Sequence, residues 1–240
     1  MKAKYERVII KLSGEALSDS KTGNIFDSNK LQKIVVLIKK LIDEKVSIGI
    51  VIGAGNIFRG RIASSINIST EDGDYLGMLG TIINCRALYS VLINNGIKVK
   101  LLSALKVDKV APKYEKESAI SFLNEGYVVL FAGGIGLPGY TTDTTASTRA
   151  IEVGADAILV GKNGVDGVYD KDPNKENNAI MYTSINYQEV LDLKLKVMDL
   201  SAIELLKNSS IVTRVFGMDD IDNFIKVVNG DDIGTTIKRR

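Results

Sequence analysis

The sequence predicts an α/β fold with a mostly parallel central sheet that is covered by helices on both faces. Short apolar runs typical of strands alternate along the chain with segments whose apolar residues recur at helical spacing. Some strand-like runs, such as YVVLFA at residues 127–132, are apolar on both faces, which is typical of strands inside a parallel sheet. Because no linker or repeat interrupts the alternation, we expect one domain over residues 1–240.

The first half of the chain contains three predicted strands and two long predicted helices. The strands are predicted at Arg7–Leu12, Ser47–Ile52 and residues 98–102. The helices are predicted at residues 29–44 and at about residues 74–94. The second helix is followed by Asn95 and Gly96, a typical helix stop, and it is more apolar than one core-facing stripe requires. We therefore expect part of this helix to be buried in a dimer.

The second half continues the alternation. Helices are predicted at residues 113–124, 143–153, 199–207 and 220–228, and strands at residues 127–132, 157–160 and 211–216. The most polar stretch, DKDPNKENN at residues 170–178, predicts a surface loop within a hairpin.

The composition excludes several kinds of chemistry. The chain has no histidine, which rules out a histidine general base, Ser-His and Cys-His nucleophile pairs and most catalytic zinc sites. Catalysis would have to use Lys, Arg, Asp, backbone N–H groups or a metal held by oxygen. Phosphoryl transfer is the large reaction class that needs little else.

Charge and cysteine content indicate the cellular setting. A net charge of +2 gives no electrostatic case for binding nucleic acid or a membrane. The single cysteine, Cys85, excludes an intramolecular disulfide and fits a reducing compartment. Because we find neither an apolar run of membrane-spanning length nor a signal peptide, we expect a cytoplasmic protein.

Three predicted strands run into glycine-rich loops. The loops cover residues 11–15, 53–60 and 133–143, and ligands of open α/β sheets bind beyond the carboxyl ends of the strands. Glycine lets the backbone approach a ligand closely and point successive N–H groups at it, which suits phosphate. A tight strand-to-helix turn would explain any one loop. Three such loops, two of them beside a cation, favour a phosphate ligand.

Two common nucleotide motifs fit less well. The Walker pattern G-x-x-x-x-G-K-[ST] is absent. Residues 134–139 match G-x-G-x-x-G, so a dinucleotide fold is an alternative. However, Tyr-Thr-Thr separates the third glycine from the plausible N-caps Thr142 and Asp143, and the next strand ends at Gly161-Lys162-Asn163 without an acidic residue to hold a ribose.

Five charged residues near these loops have both a functional and a structural interpretation. Lys11 could bind phosphate or be an edge residue, and Arg59 could bind phosphate or pair with a carboxylate. Asp74 and Asp199 could contact ligands or be helix N-caps. Asp166 could be a turn residue.

Taken together, these segments resemble the bacterial UMP kinases of the amino-acid kinase superfamily over nearly the whole chain. The carrying motifs are IIKLSGEAL (9–17), VIGAGNIFRG (51–60), GDYLGML (73–79), YTTDT (140–144), VDGVYDKDP (165–173) and KVMDL (196–200). The resemblance implies a three-layer αβα sandwich, an allosteric enzyme that transfers the γ-phosphoryl group of ATP to UMP with Mg²⁺, and a homohexamer built from dimers.

The resemblance also implies site residues. Those implied for ATP are Lys11, Leu12, Ser13, Gly14, Gly55, Arg59, Asn163, Tyr169 and Asp172. Those implied for UMP are Ala54, Asp74, Gly134, Ile135, Gly136, Leu137, Pro138, Gly139, Tyr140, Thr141 and Thr142. Those implied for catalysis are Lys11, Arg59, Asp143 and Asp199. No protein ligand of the metal is assigned.

Within this scheme UMP needs no general base, because its phosphate is largely a dianion at neutral pH. Lys11 and Arg59 would neutralise charge on the transferred group. Asp199 would orient Lys11, Asp143 would orient Lys11 or a water on Mg²⁺, and Asp74 would accept hydrogen bonds from the ribose.

Two loops depart from the family pattern. Gly-Ala-Gly-Asn replaces the common G-G-G-N, which requires a negative φ at Ala54, and GIGLPGYTTD lacks the usual Thr and Asn of the acceptor loop. Two alternatives remain open at this point. One is a non-catalytic nucleotide- or oxyanion-binding protein of the same fold, and the other is a kinase with a different acceptor, such as an amino-acid carboxylate.

Overall fold

The computed structural model describes residues 3–19 and 21–240. The strands are β1 (Arg7–Leu12), β2 (Ser47–Ile52), β3 (Val99–Ser103), β4 (Val128–Ala132), β5 (Ala157–Lys162), β6 (Val168–Tyr169), β7 (Met181–Tyr182), β8 (Ser184–Asn186), β9 (Val212–Gly217) and β10 (Thr235–Lys238). The helices are α1 (Ser28–Asp43), α2 (Gly60–Ala63), α3 (Thr70–Asn94), α4 (Lys116–Asn124), α5 (Thr142–Val153), α6 (Tyr187–Asp192), α7 (Leu200–Leu206) and α8 (Asp222–Asn229).

The central sheet has eight strands in the order β3-β4-β2-β1-β5-β9-β10-β8. All neighbouring strands are parallel except β9 and β10, which are antiparallel. The predicted mostly parallel sheet is therefore confirmed. Strands β6 and β7 form a separate antiparallel pair that encloses the polar loop at residues 170–178, so the predicted hairpin is also confirmed.

Helices cover both faces of the sheet. Val8 and Ile10 of β1 belong to a core shared with α1, α3 and α8. Ile9, between them, belongs to the opposite core, which is shared with α4, α5, α6 and α7. Because successive side chains of a strand point to opposite faces, a strand in the middle layer must be apolar throughout. This gives the three-layer αβα arrangement.

Several helix starts differ from the predictions. Helix α3 begins four residues earlier than predicted, and Ser69 is its N-cap, accepting from the Asp72 N–H at 3.0 Å. Its first turn is polar, so the apolar spacing did not reveal it. Asp74 therefore lies inside α3, and its interpretation as an N-cap is wrong. Helix α5 begins at Thr142, with Thr141 as its cap.

Some short elements were not predicted at all. Helix α2, helix α6 and the strands β8 and β10 are six residues or fewer in length, too short for hydrophobic spacing to reveal. For α6 there was a usable signal, because Asn186 and Glu189 form a capping box at its start.

Helix α3 corrects the expectation that no apolar segment of the chain reaches membrane-spanning length. With 25 residues it is long and apolar enough to cross a membrane by length and composition alone. Its buried side chains, among them Ile82, Cys85 and Leu88, pack against the sheet in the core shared with α1 and α8. Tyr75, Leu79 and Ile83 are exposed on its outer face. We interpret α3 as a core helix with an apolar outer face.

Candidate active site

The three predicted glycine loops meet at the carboxyl edge of β1, β2 and β4. Gly14 follows β1 and touches the loop after β2 so closely that a Cβ atom on it would lie 2.2 Å from Asn56 Oδ1 and 2.8 Å from the Gly53 carbonyl oxygen. Residue 14 must therefore be glycine. Ala54 is not among the positive-φ residues of the described chain, so the condition for an alanine at this position of the loop is met.

A pair of amide side chains supports the second loop from beneath. Asn84 of α3 is fully buried, and its Nδ2 donates to the Gly53 carbonyl and to Asn56 Oδ1, each at 2.8 Å. Asn56 Nδ2 donates back to Asn84 Oδ1 at 3.0 Å and to the Ile25 carbonyl at 2.9 Å. The sequence analysis missed Asn84. Asn84 could have been found as an amide inside an otherwise apolar helix, because a buried polar group must have hydrogen-bond partners.

Lys11 forms an ion pair with Asp143 at 2.8 Å, and both side chains are mostly buried, with 17% and 14% of their surface exposed. Asp143 lies in the first turn of α5 and also accepts a hydrogen bond from the Asp199 N–H at 3.3 Å. Among the ion pairs of residues 3–19 and 21–240, none joins Asp199 to Lys11. The carboxylate paired with Lys11 in this structure is therefore Asp143. Asp199 contacts Asp143 through its backbone, and its role in orienting Lys11 stays a prediction.

Arg59 joins the first two loops. Its Nη2 forms an ion pair with Glu15, and its Nε donates to the Gly55 carbonyl at 3.0 Å. Both partners of the ion pair are well exposed, so the pair contributes little to stability. A phosphate could replace Glu15 at the guanidinium at small cost, which leaves both sequence interpretations of Arg59 compatible with the structure.

A cavity of about 310 Å³ lies on the side of the cleft towards α3. Its lining includes six of the predicted acceptor residues, Ala54, Asp74, Gly134, Tyr140, Thr141 and Thr142. The other five, Ile135, Gly136, Leu137, Pro138 and Gly139, do not line it. Leu137 is instead exposed at the outer end of the loop, while the Gly139 N–H donates to Asp74 Oδ2 at 2.7 Å.

Side chains from two helices fix the inner end of this third loop. Gly133 and Gly134 both have positive φ, at 72° and 60°, a conformation that other residues rarely adopt. The Gly133 N–H donates to Thr81 Oγ1 of α3 at 2.8 Å. Arg149 Nη2 of α5 donates to the Gly134 carbonyl at 3.2 Å.

Arg149 is itself buried and is held by two partly buried polar side chains, Tyr114 and Glu152. Its guanidinium lies 3.6 Å from the centre of the Tyr114 ring and pairs with Glu152 at 2.6 Å. The Tyr114 hydroxyl donates to the same Glu152 oxygen at 2.7 Å, and burial, aided by this carboxylate, raises the pKa of Tyr114. These contacts were not predicted from the sequence, because an arginine and a glutamate three residues apart usually form an exposed pair on a helix.

Two further cavities extend the cleft away from α3. One of about 460 Å³ is lined by Lys162, by residues 167–173, which include the predicted ATP residues Tyr169 and Asp172, and by residues 193–197. Asn163 does not line it. The other, of about 370 Å³, is lined by Asp143 and residues 194–200, so it shares residues 194–197 with the first. Asp143, which lines the second of these cavities, directly follows Thr142, which lines the cavity near α3. The three cavities therefore follow one another along the cleft.

Lys162 is a further charged residue of the cleft that sequence reasoning passed over. Its Nζ donates to the Val197 carbonyl at 2.9 Å. Burial lowers the pKa of Lys162, Lys11 lowers it further, and Asp143 and Asp199 act in the opposite direction. Two lysines and two aspartates therefore share the middle of the cleft.

Comparison with known proteins agrees with this geometry. Residues 6–217 match the model of the amino acid kinase family. Uridylate kinases from Bacteroides thetaiotaomicron and Mesoplasma florum are each 42% identical to the chain, over 98% and 99% of its length and over 99% and 100% of theirs. The crystal structure of UMP kinase from Bacillus anthracis superimposes with a TM-score of 0.94 at 40% identity, covering 98% of this chain and 96% of that one. The chain belongs to the amino acid kinase family, within its group of bacterial uridylate kinases.

Proposed function

We propose that the chain transfers the γ-phosphoryl group of ATP to UMP, giving ADP and UDP, in pyrimidine nucleotide biosynthesis in the cytoplasm. The observation that carries this proposal is the position of Asp143, the ion-pair partner of Lys11: it lines one cavity of the cleft and directly follows Thr142, which lines the cavity near α3. Close relatives over the full length of the chain are named uridylate kinases, which supports UMP as the acceptor.

The residues present suit a reaction that needs no general base. A phosphate oxygen of UMP attacks the γ-phosphorus while the bond to the bridging oxygen breaks, and ADP leaves with that electron pair. Lys11 and Arg59 neutralise charge on the transferred group, and the N–H groups after Leu12, around Ser13, Gly14 and Gly55, hold phosphate oxygens. Asp143 keeps Lys11 in place, since the two are already paired at 2.8 Å.

Mg²⁺ is proposed to bind together with ATP. Among the described residues, no group of three or more Asp, Glu, Cys or His side chains could hold a metal ion. Asp143, the partner of Lys11, and Asp199, whose N–H donates to Asp143, supply two carboxylates, which suits an ion that binds mainly to phosphates and keeps several waters. When bound, the ion would neutralise charge on the donor phosphates.

The two substrates are assigned to opposite ends of the cleft. The adenosine of ATP is placed beside Tyr169 and Asp172 in the larger cavity, and Asn163 directly follows Lys162 of its lining. UMP is placed in the cavity near α3, where Asp74 would accept hydrogen bonds from ribose hydroxyls. Asp74 already accepts one from the Gly139 N–H. Its remaining lone pairs are available to the ribose.

We propose that the protein assembles as a homohexamer built from dimers, with no nucleic acid or membrane partner. The exposed apolar outer face of α3 supports burial against a second copy, because an exposed apolar patch on a helix is typical of an interaction surface. Sedimentation of the wild type and of Leu79→Glu tests this. A monomer of 26.1 kDa in the wild type would contradict it, whereas dissociation caused only by the substitution would support it.

An ADP-release assay with UMP, CMP, glutamate and acetylglutamate as acceptors tests the proposed reaction. We expect ADP release with UMP. Release with an amino-acid acceptor alone would identify a different kinase. ATP binding without release for any acceptor would identify the non-catalytic binding protein, an alternative opposed by the pairing of Lys11 with Asp143.

A further inference from the structure

Lys162 is a half-buried lysine for which the mechanism above has no use. Strands β1 and β5 are parallel neighbours in which Lys11 is paired with Val160. Because side chains alternate along a strand, residues 160 and 162 point to the same face as Lys11. Lys162 therefore lies on the face of Lys11, two residues nearer the edge where the glycine loops meet. Two lysine side chains from adjacent strands project into the same part of the cleft.

The ammonium group of Lys162 has donors to spare. Within the described residues it makes one hydrogen bond, to the Val197 carbonyl at 2.9 Å. An ammonium group carries three N–H donors. Lys162 lines the same cavity as Tyr169 and Asp172, so its two remaining donors have access to a ligand in that cavity.

An anion between Lys162 and Lys11 would relieve their mutual repulsion. Lys11 and Lys162 repel each other, and burial also disfavours the charged form of Lys162. Asp143 and Asp199 compensate for this repulsion, so the four groups are balanced before any ligand binds. A polyphosphate chain carries several negative charges and would stabilise both ammonium groups at once. Lys194 and Lys196, in the same cavity lining, add to the positive potential.

We propose that Lys162 is a second cationic ligand of the donor nucleotide, binding the polyphosphate from the β5 side while Lys11 binds it from the β1 side. This rests on the proposed function for the identity of the donor as ATP. The bond to the Val197 carbonyl fixes the direction of the long side chain, so less conformational entropy is lost when the phosphates bind.

Equilibrium binding of ATP, ADP and adenosine to the wild type, Lys162→Met and Lys162→Arg tests the proposal. For Lys162→Met we expect ATP affinity to fall by roughly tenfold or more, since one charge-assisted contact is lost, ADP affinity to fall by less, and adenosine affinity to stay the same. Lys162→Arg keeps the charge and should stay close to the wild type for all three. Lys39→Met, which removes an exposed lysine of α1 outside these cavities, is the matched control for loss of charge.

Each other outcome has a defined meaning. If adenosine affinity fell in parallel with that of ATP, Lys162 would only position residues 195–199 through Val197, and the proposal would be wrong. Unchanged ATP affinity in Lys162→Met would overturn it as well. If this variant failed to fold, as judged by thermal melting, Lys162→Gln would replace it, because glutamine keeps a donor but no charge.

The proposed function can fail separately. If the wild type bound ATP but released no ADP with UMP, the reaction would be rejected while the comparison of ATP with adenosine still decided the role of Lys162. If the wild type phosphorylated UMP and Lys162→Met bound ATP normally, only the role of Lys162 would be rejected.

Discussion

The acceptor side and the donor side of the cleft are held in different ways. On the acceptor side, three side chains from two helices bind the backbone of one loop: Thr81 at Gly133, Arg149 at Gly134 and Asp74 at Gly139. On the donor side, residues 194–199 are held by the hydrogen bond from Lys162 and by that from the Asp199 N–H to Asp143.

The difference indicates that the acceptor loop is ordered before its ligand arrives. Two consecutive glycines with positive φ would be costly to order at the moment of binding, and the contacts from α3 and α5 meet that cost during folding. Among the residues that the structure describes, the donor side has fewer such contacts, and Lys162, Lys194 and Lys196 form no ion pair there. We therefore expect substitutions on the acceptor side to act by changing the geometry of the loop. Substitutions on the donor side should act by changing the charge that faces the phosphates.

The largest effect is expected at Lys11, where the two sides meet. Lys11→Met should lower kcat by roughly 10²–10³ or more, the scale of losing one preorganised donor to the transition state. The substitution also leaves Asp143, which is mostly buried, without its ion-pair partner, so thermal stability should fall. Steady-state kinetics of the folded variant, with Lys39→Met as control, is the measurement. Turnover near that of the wild type would remove Lys11 from the mechanism.

The next largest effect is expected at Arg149, which contacts no proposed substrate. Arg149→Met breaks its pair with Glu152 and frees the Gly134 carbonyl, so we expect a loss of stability of about 3 kcal/mol, the lower end for breaking a buried pair, because Glu152 remains 31% exposed. KM for UMP should rise by roughly tenfold, since a displaced loop misplaces the acceptor. KM for ATP should change little.

Arg149→Lys distinguishes positioning from simple packing. Lysine keeps a positive charge for Glu152 but cannot reproduce the planar contact with Tyr114 and the second bond to Gly134. We expect stability to recover in part and KM for UMP to stay high. If KM for UMP followed stability back to the wild-type value, Arg149 would have no separate role in shaping the acceptor loop.

Local sequence patterns predicted the parts of the site that depend on backbone conformation. The glycine loops, the sheet and Lys11 follow from residue type and strand position, because glycine and strand alternation act over a few residues. Asn84, Arg149 and Lys162 could not be recognised in this way. Each is defined by a contact with a residue at least fifteen positions away, such as Gly53, Gly134 or Val197.

The same reason explains why the carboxylate paired with Lys11 could not be chosen from the sequence. Asp143 and Asp199 both precede or begin a helix, and spacing along the chain does not show which carboxylate reaches Lys11. The choice depends on how α5 and α7 pack on the same face of the sheet. The structure brings the first turn of α5 to Lys11 and leaves Asp199 beside it.

A smaller effect is expected at Asp74, on the acceptor side. Asp74→Asn should raise KM for UMP by roughly tenfold, about 1.4 kcal/mol, because a charge-assisted contact to the ribose becomes a neutral one. Asparagine keeps an oxygen that can accept from the Gly139 N–H, so the loop contact is preserved. The preference for UMP over dUMP should narrow, since a site that binds a hydroxyl rejects the analogue that lacks it.

Asp74→Asn can also show that Asp74 only anchors the loop. In that case KM for UMP and the ratio of UMP to dUMP activity would both stay at wild-type values, because the Gly139 contact survives. The ribose of UMP would then have to bind elsewhere in the cavity.

The smallest effect is expected on the donor side, in the pH dependence of ATP affinity. Burial and, after it, Lys11 lower the pKa of Lys162 from its ordinary value of 10.5, so Lys162 loses its proton earlier than an exposed lysine would as pH rises. Bound phosphates favour the protonated form of Lys162. The ATP affinity of the wild type should therefore fall by a few-fold as the pH rises through this lowered pKa, and ATP binding should take up protons in that pH range.

Lys162→Arg isolates this contribution because arginine stays protonated throughout the range. Lys11, Lys194, Lys196 and Tyr169 are present in both proteins, so whatever they contribute is common to both curves. We therefore expect the two affinities to agree at neutral pH and to separate only in alkaline solution, with the variant binding more tightly. Titration calorimetry in two buffers of different ionisation enthalpy should show more proton uptake for the wild type than for Lys162→Arg. Curves that stayed parallel at all pH values would mean that the charge on Lys162 does not reach the phosphates, and the donor side would then rely on Lys11 and on Lys194 and Lys196.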